Sequence, residues 1–332
     1  MIRKYLYGTP FPTNAVVTDI PPSTEQLPFF ETDSKGTFTY PLQNEDIVYG
    51  LGEQIRGINK RGWQYVSWNS DNPNHQEDTR SLYGAHNFIL ISGRQTFGAF
   101  FDNPGRMEFD IGYTHGNRMQ IRAEKNDLTV YIITGQDEKH IVKQFRQLIG
   151  RSYIPPLWAF GYGQSRWGYQ NEQDVRQVAQ QYQAAGIPLD SIYLDIDYME
   201  RYKDFTVDPE RFPDLGKLVQ DMRTQGIRLV PIIDAGVKIE TGYDVYQEGV
   251  AHNYFCKNAE GKDFVGAVWP GRVHFPDFLQ PEARDWFGKK YAILTDLGIE
   301  GFWNDMNEPA IFYTEDRLAE TCSEIQRLTA GN

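Results

Sequence analysis

"TQGIRLVPIID", residues 224–234, sets a glycine and an isoleucine ahead of an apolar run that stops on an acid. This reads as the end of a helix, a buried-type strand and a polar strand terminus. The pattern recurs in "AAGIPLDSIYLDID" (184–197) and in "DLGIEGFWND" (296–305). Helical spacing precedes each copy. Val175, Val178, Ala179 and Tyr182 carry it in residues 171–185, and Leu215, Leu218, Val219 and Met222 in residues 213–225. Phe287, Tyr291 and Leu294 do so in residues 281–297. A further strand is expected in "SYIPPLWAFGYGQS" (152–165), after its Pro-Pro stop. Strand, helix and strand in repetition imply a parallel sheet. Doubly wound sheets and (β/α)8 barrels share that grammar. No GxGxxG or GxxxxGK[ST] loop is present, and each strand ends on acids, where barrels place their active sites; both points favour the barrel.

Residues 1–148 read differently. "GTFTYPL", "NFILISG", "TFGAFFD", "MEFDIGY", "RMQIRAE" and "LTVYIIT" are short β-rich runs punctuated by Gly, Asn or Asp. No amphipathic helix of any length is expected before about residue 145. The expected architecture is an antiparallel β-sandwich over 1–148, followed over 149–332 by an incomplete (β/α)8 (TIM) barrel with about four βα units. Half a barrel leaves two unpaired edges. The chain is therefore expected to be a fragment, or to be completed by another segment.

Composition narrows the ligand. The net charge is −12 and basic residues are scattered, so the surface repels phosphate backbones and nucleic acid is not an expected partner. Aromatic residues make up 14% of the chain, which suits stacking on sugars or bases and equally suits a sandwich core. No apolar run reaches membrane length, and the start lacks a signal-peptide core. Cys256 and Cys322 form no CxxC pair, which points to a reduced, cytoplasmic setting. The six histidines show no i, i+4 pair and no HExxH, so neither a metal nor another cofactor is expected. GxSxG is absent, against a serine hydrolase of the α/β type.

A parallel sheet gathers the strand ends at one mouth. The first strand brings Arg166 and Trp167, the second Asp195 and Asp197, the third Asp234, and the fourth Trp303, Asp305 and Glu308. The long segment after the third adds Trp269 and Asp277. Acids framed by indoles can stabilise an oxocarbenium-like centre while the rings stack on a sugar. Each acid taken singly has a plainer reading as a helix cap or the partner of an arginine, Asp234 above all, since it stands beside Gly236 in a turn. The constellation as a whole favours function.

"GFWNDMNEP" (301–309) resembles the signature of glycoside hydrolase family 31, the α-glucosidase family. "YLDIDYM" (193–199), "DFTVDPERFPDL" (204–215), "LVPIIDAGV" (229–237) and "VWPGRVHFPDF" (268–278) are similar to family landmarks and stand in family order. "VYGLGEQ" and "WNSDNP" resemble its sandwich domain, so the likeness runs over roughly residues 45–313. The resemblance implies a retaining α-glucosidase in which Asp305 is the catalytic nucleophile. It implies that Asp195 binds hydroxyls of the −1 sugar and that Ile196 lies beside the +1 sugar. Trp269 and Trp303 would wall the −1 pocket, Ile233 and Met306 line it, and Trp167 tune linkage preference. Asp71 would reach the substrate from a sandwich loop. Glu308 is taken as a supporting residue that orients the loop, and Asp197 as a second supporting residue. The family's acid/base lies on a later part of the barrel, beyond Asn332, and Asp197 and Glu308 are disfavoured as substitutes because each has a structural role. This chain alone is therefore expected to be inactive, its missing partner being the C-terminal half of the barrel, with a homo-oligomer left open. Two other readings stand beside this one: an α-xylosidase or transglycosylase of the same family, and a catalytically silent sugar-binding protein. In every case the expected partner is a disaccharide or oligosaccharide.

Overall fold

Ten short strands occupy the first 134 residues of the computed structural model, which describes residues 1–314. They are β1 (Ile2–Tyr7), β2 (Glu31–Thr32), β3 (Thr37–Pro41), β4 (Ile47–Gly50) and β5 (Trp63–Ser67). Then follow β6 (Phe88–Ser92), β7 (Phe97–Asp102), β8 (Met107–Ile111), β9 (Arg118–Ala123) and β10 (Leu128–Thr134). They pair antiparallel into two five-stranded sheets, ordered β1-β10-β7-β6-β4 and β2-β3-β9-β8-β5. In β8 every second residue is buried, as one core-facing side of a strand requires. Phe38 and Tyr40 of one sheet meet Phe101 and Phe97 of the other across a shared core. All six β-rich runs picked out above are strands.

The expectation of no helix in this region is corrected. α1 (Glu138–Leu148) follows β10 directly, and the Asp137 carboxylate caps it by accepting from the backbone N–H of His140 at 2.7 Å. Its Ile141 and Leu148 join a second small core on the outer side of β10, and Phe145 stacks on Phe88 at 3.9 Å. β10 is thus covered on both faces, which explains its nearly unbroken apolar sequence. The helix escaped notice because its stripe is short and abuts that run. The chain divides into two compact units, Met1–Tyr153 and one beginning at Ile154.

The second unit carries β11 (Gly163–Gln164), α2 (Glu172–Ala185), β12 (Ser191–Leu194), α3 (Leu215–Thr224) and β13 (Arg228–Asp234). After these come β14 (Val237–Lys238), α4 (Asp244–Ala251), β15 (Gly266–Val268), β16 (Gly271–His274), α5 (Pro281–Lys290), α6 (Ala292–Thr295), β17 (Trp303–Asp305) and β18 (Tyr313–Thr314). β11, β12, β13 and β17 form a parallel sheet in that order, the four strands read from the sequence. Val175 and Ala179 of α2 and Leu218 and Met222 of α3 pack with Ile192, Leu194, Leu229 and Ile232 of the sheet in one core. Gly186, Gly226 and Gly298, with φ of 67°, 82° and 95°, turn the chain out of the three helices into the strands.

Three details differ from the sequence reading. The first strand is only two residues long, because Leu157–Phe160 form a turn of 3-10 helix in place of its first half. The helix expected over 281–297 is divided into α5 and α6 at Tyr291. β14, β15, β16 and α4 fill the long segment after β13, and the three strands join β18 in a second, antiparallel sheet ordered β14-β16-β15-β18. Cys322 lies outside the described residues, and Cys256 is a free thiol.

Candidate active site

Strand order places Asp195 at the end of β12, Asp234 at the end of β13 and Asp305 at the end of β17. The parallel register pairs Asp234 with Asp305 and Ile232 with Trp303. Side chains two apart share a face of a strand, so Trp303 and Asp305 point the same way. Ile233, paired with Asn304, takes the alternate face and is 1% exposed. Ile196 is also buried in the core, just past Asp195.

The tryptophans are gathered by different means. Trp269 and Pro270 are the two residues that join β15 to β16, a hairpin closed by Val268 opposite Gly271. The hairpin tip thus holds the indole out. Trp167 lies 6.2 Å from it in a tilted arrangement, and Phe312 meets it edge-on at 5.1 Å. Trp303 makes an edge contact with Tyr193 at 6.2 Å. Met306, with φ of 58°, turns the chain directly after Asp305 and packs on Val268, Val273 and Phe275 beneath that hairpin. Glu308, two residues on, is half-buried. Asp277 sits apart from the other acids in its own turn, accepting from the backbone N–H of Leu279 and from the Gln280 amide. Asp71 belongs to the first unit, on the exposed stretch after β5.

The acids differ in environment. Asp195 caps the short 3-10 turn that follows, accepting from the Ile196 N–H at 2.7 Å. Burial raises its pKa, with the charge of Asp305 adding to the rise. Asp197, 5% exposed, is raised mainly by burial, which the Arg211 guanidinium at 3.6 Å opposes; a hydrogen bond with Trp167 also lowers it. The plainer reading of a strand-end acid therefore fits these two in part. It fails for Asp234. Among the described residues that carboxyl neither caps a helix nor meets a cation, and one of its buried oxygens has no hydrogen-bond partner. Burial first, then the charges of Asp305 and Asp195, push Asp234 up to about 7.

Tyr193, Phe312 and Asp204 were not singled out in the sequence. Asp204 opens the quoted "DFTVDPERFPDL" stretch, yet only the folded chain shows it under the strand ends, accepting from the backbone N–H of Asp234 at 3.1 Å. What the site presents is a shelf of carboxyl groups at adjacent strand ends, with Trp303 on the face of Asp305 and the Trp167–Trp269 pair linked to the shelf through Asp197. Such a surface can hold the hydroxyls and apolar face of a sugar and offer a carboxylate to its reacting carbon.

Comparison with known proteins places this arrangement. Residues 152–328 match the family described as "Glycosyl hydrolases family 31 TIM-barrel domain". Residues 17–110 match the "Glycosyl hydrolase 31 N-terminal galactose mutarotase-like domain". Alpha-glucosidase 2 of Bacillus thermoamyloliquefaciens is 44% identical over 273 residues, which cover 82% of this chain and 35% of that protein. An alpha-glucosidase of Saccharolobus solfataricus is 27% identical over 331 residues, 98% of this chain and 48% of that one. A Flavobacterium johnsoniae family 31 dextranase, solved in complex with glucose, has a TM-score of 0.78 at 30% identity, over 88% of this chain and 36% of that chain. A family 31 alpha-glucosidase from Bacteroides thetaiotaomicron has a TM-score of 0.74 at 29% identity, covering 86% and 48%. The chain thus spans between a third and a half of the length of these relatives. Both matched domains stand in the order and over the regions occupied by the two units, and the chain belongs to glycosyl hydrolase family 31.

Proposed function

We propose that this chain carries the nucleophile half of a retaining α-glucosidase that releases terminal α-linked glucose from oligosaccharides. The observation that carries the reading is the register of β13 with β17, which sets Asp305 at the end of β17 on the same face as Trp303. The names of the relatives supply the substrate class.

In this reading a carboxylate oxygen of Asp305 attacks the anomeric carbon as the glycosidic C–O bond breaks. The departing oxygen takes a proton from a second carboxylic acid, and water later hydrolyses the glycosyl ester with that same group acting as base. The two carboxyl groups of retaining enzymes stand about 5–5.5 Å apart across the scissile bond. The neighbouring acids do not suit the donor's part. Asp195 caps a turn, Asp197 is held by Arg211, and Asp234 is a strand neighbour of Asp305 on its own side of the sugar. We assign the donor to sequence outside the described residues, which agrees with the share of each relative that this chain covers. Asp195 binds sugar hydroxyls, and Trp269 and Trp303 wall the pocket.

The test is made on the full-length protein. Asp305→Ala should lower turnover of an aryl α-glucoside by about 10⁴-fold or more. Glucose binding should persist. A slowly released fluoro-sugar substrate should leave a glycosyl group on the peptide containing Asp305. Near-normal turnover in that variant, or a label on another peptide, overturns the assignment.

A further inference from the structure

Residues 199–206, between β12 and α3, follow a contorted path. Arg201, Tyr202 and Phe205 have φ of 51°, 59° and 59°, the left-handed region that side chains other than glycine rarely occupy. Ion pairs hold the loop there. Arg201 donates to Glu240 at 2.8 Å, and the buried Lys203 reaches Glu200 at 3.3 Å and Glu240 at 3.2 Å. The residue this path delivers to the interior is Asp204, 1% exposed.

Asp204 sits under Asp234. One of its oxygens accepts from the Asp234 backbone N–H, while its other oxygen is buried without a partner, as is one oxygen of Asp234. Among the described residues the neighbouring tyrosine donors are committed elsewhere. Tyr198 donates to the carbonyl of Ile232 at 2.8 Å, Tyr243 to the carbonyl of Asp204 at 2.7 Å, and Tyr291 to Asn304 at 2.7 Å. Among the described residues, the other titratable groups that act on Asp234 are Asp305 and Asp195, both acids. The nearby lysine, Lys203, is taken by glutamates. Two buried carboxylates that share one backbone donor and, among the described residues, meet no cation would be strongly unfavourable. A proton on either carboxyl removes one of the two buried charges.

We propose that Asp204 and Asp234 form a proton-retaining carboxyl pair, and that this pair positions Asp305 by keeping a neutral group beside it in the sheet. This rests on the reading of Asp305 as nucleophile, but the pair itself does not. Complete burial and then the Asp234 charge raise Asp204 well above its ordinary value, so it too favours the protonated form. Asp234 gives up its proton at about 7, placing a second negative charge next to Asp305. The sign for stability follows. The folded chain holds a proton that the unfolded chain releases at the ordinary value of 3.8, so stability is full below that value and is lost as pH rises towards about 7.

The experiment is a carboxyl ¹³C titration of the 332-residue chain labelled at aspartate, with Asp204→Asn, Asp234→Asn and Asp305→Asn to assign resonances. One resonance should titrate at about pH 7 and vanish in Asp234→Asn. A second should titrate above the ordinary aspartate range and vanish in Asp204→Asn. The Asp305 resonance should show an inflection at the Asp234 midpoint, absent from Asp234→Asn; a purely structural role for Asp234 would not produce it. Urea unfolding of the unaltered chain, which needs no variant to fold, should show stability falling from about pH 4 to 7. Asp234 titrating at about pH 4 overturns the pair. An Asp305 resonance without the inflection overturns the positioning role. If the titrations hold but full-length protein lacks α-glucosidase activity, the functional reading fails and the pair stands.

Discussion

Asp197 shows how one side chain can be both buried and charged. Its carboxyl is 7% exposed and leans on Arg211, itself 46% exposed, at 3.6 Å. Replacing Arg211 with Met would leave a buried acid with one fewer partner. We expect a loss of about 1–2 kcal/mol at neutral pH, less than for a fully buried pair because the arginine is half in solvent. Burial already raises Asp197, so losing the guanidinium raises it further. The penalty therefore exists only where Asp197 is ionised, and it shrinks as pH falls into the carboxylate range. Urea melts of the variant at several pH values read this directly; a penalty independent of pH would mean that Arg211 acts by packing. At this scale the sequence was informative about residue type. Asp305, Asp195 and the tryptophans were legible because each stands at a strand end or in a Trp-containing motif. Asp204 was not, since its importance comes from a neighbour thirty residues away.

Among the elements, two glycines separate backbone demands from packing demands. Gly186 closes α2 at φ 67° with nothing near the place a Cβ would occupy. Gly186→Ala should cost about 1 kcal/mol, the left-handed penalty alone. Gly249 lies within α4, and a Cβ there would stand 2.2 Å from the ring of Phe255, which is completely buried. Gly249→Ala should cost about 1–3 kcal/mol through overpacking, although alanine is the better helix former. Thermal unfolding ranks the pair, and Gly249→Ala coming out the milder would show that Phe255 gives way easily. The Gly-Ile signal marked the first of these positions. The second is invisible in sequence, because its constraint is a ring from a different segment. The hairpin carrying Trp269 is likewise a tertiary matter. Its strands are three and four residues long, too short for a periodicity to show.

At the scale of the whole molecule, each unit has its own core. The first closes two five-stranded sheets over a common interior, with α1 covering the outer side of β10. Residues 1–153 expressed alone should therefore unfold in one cooperative transition, read by near-UV circular dichroism in urea. A broad, probe-dependent transition would show that this core is not self-sufficient. The β-rich runs of the first unit, the parallel sheet and the strand ends on which acids stand were determined by sequence alone, since local periodicity and helix-ending glycines are properties of contiguous residues. Tertiary structure alone decided which acids share a site, which indoles meet, and that Asp204 lies beneath Asp234. These depend on register and on loop paths that bring distant residues into a space from which water is excluded, where the cost of a charge is set by its neighbours in three dimensions.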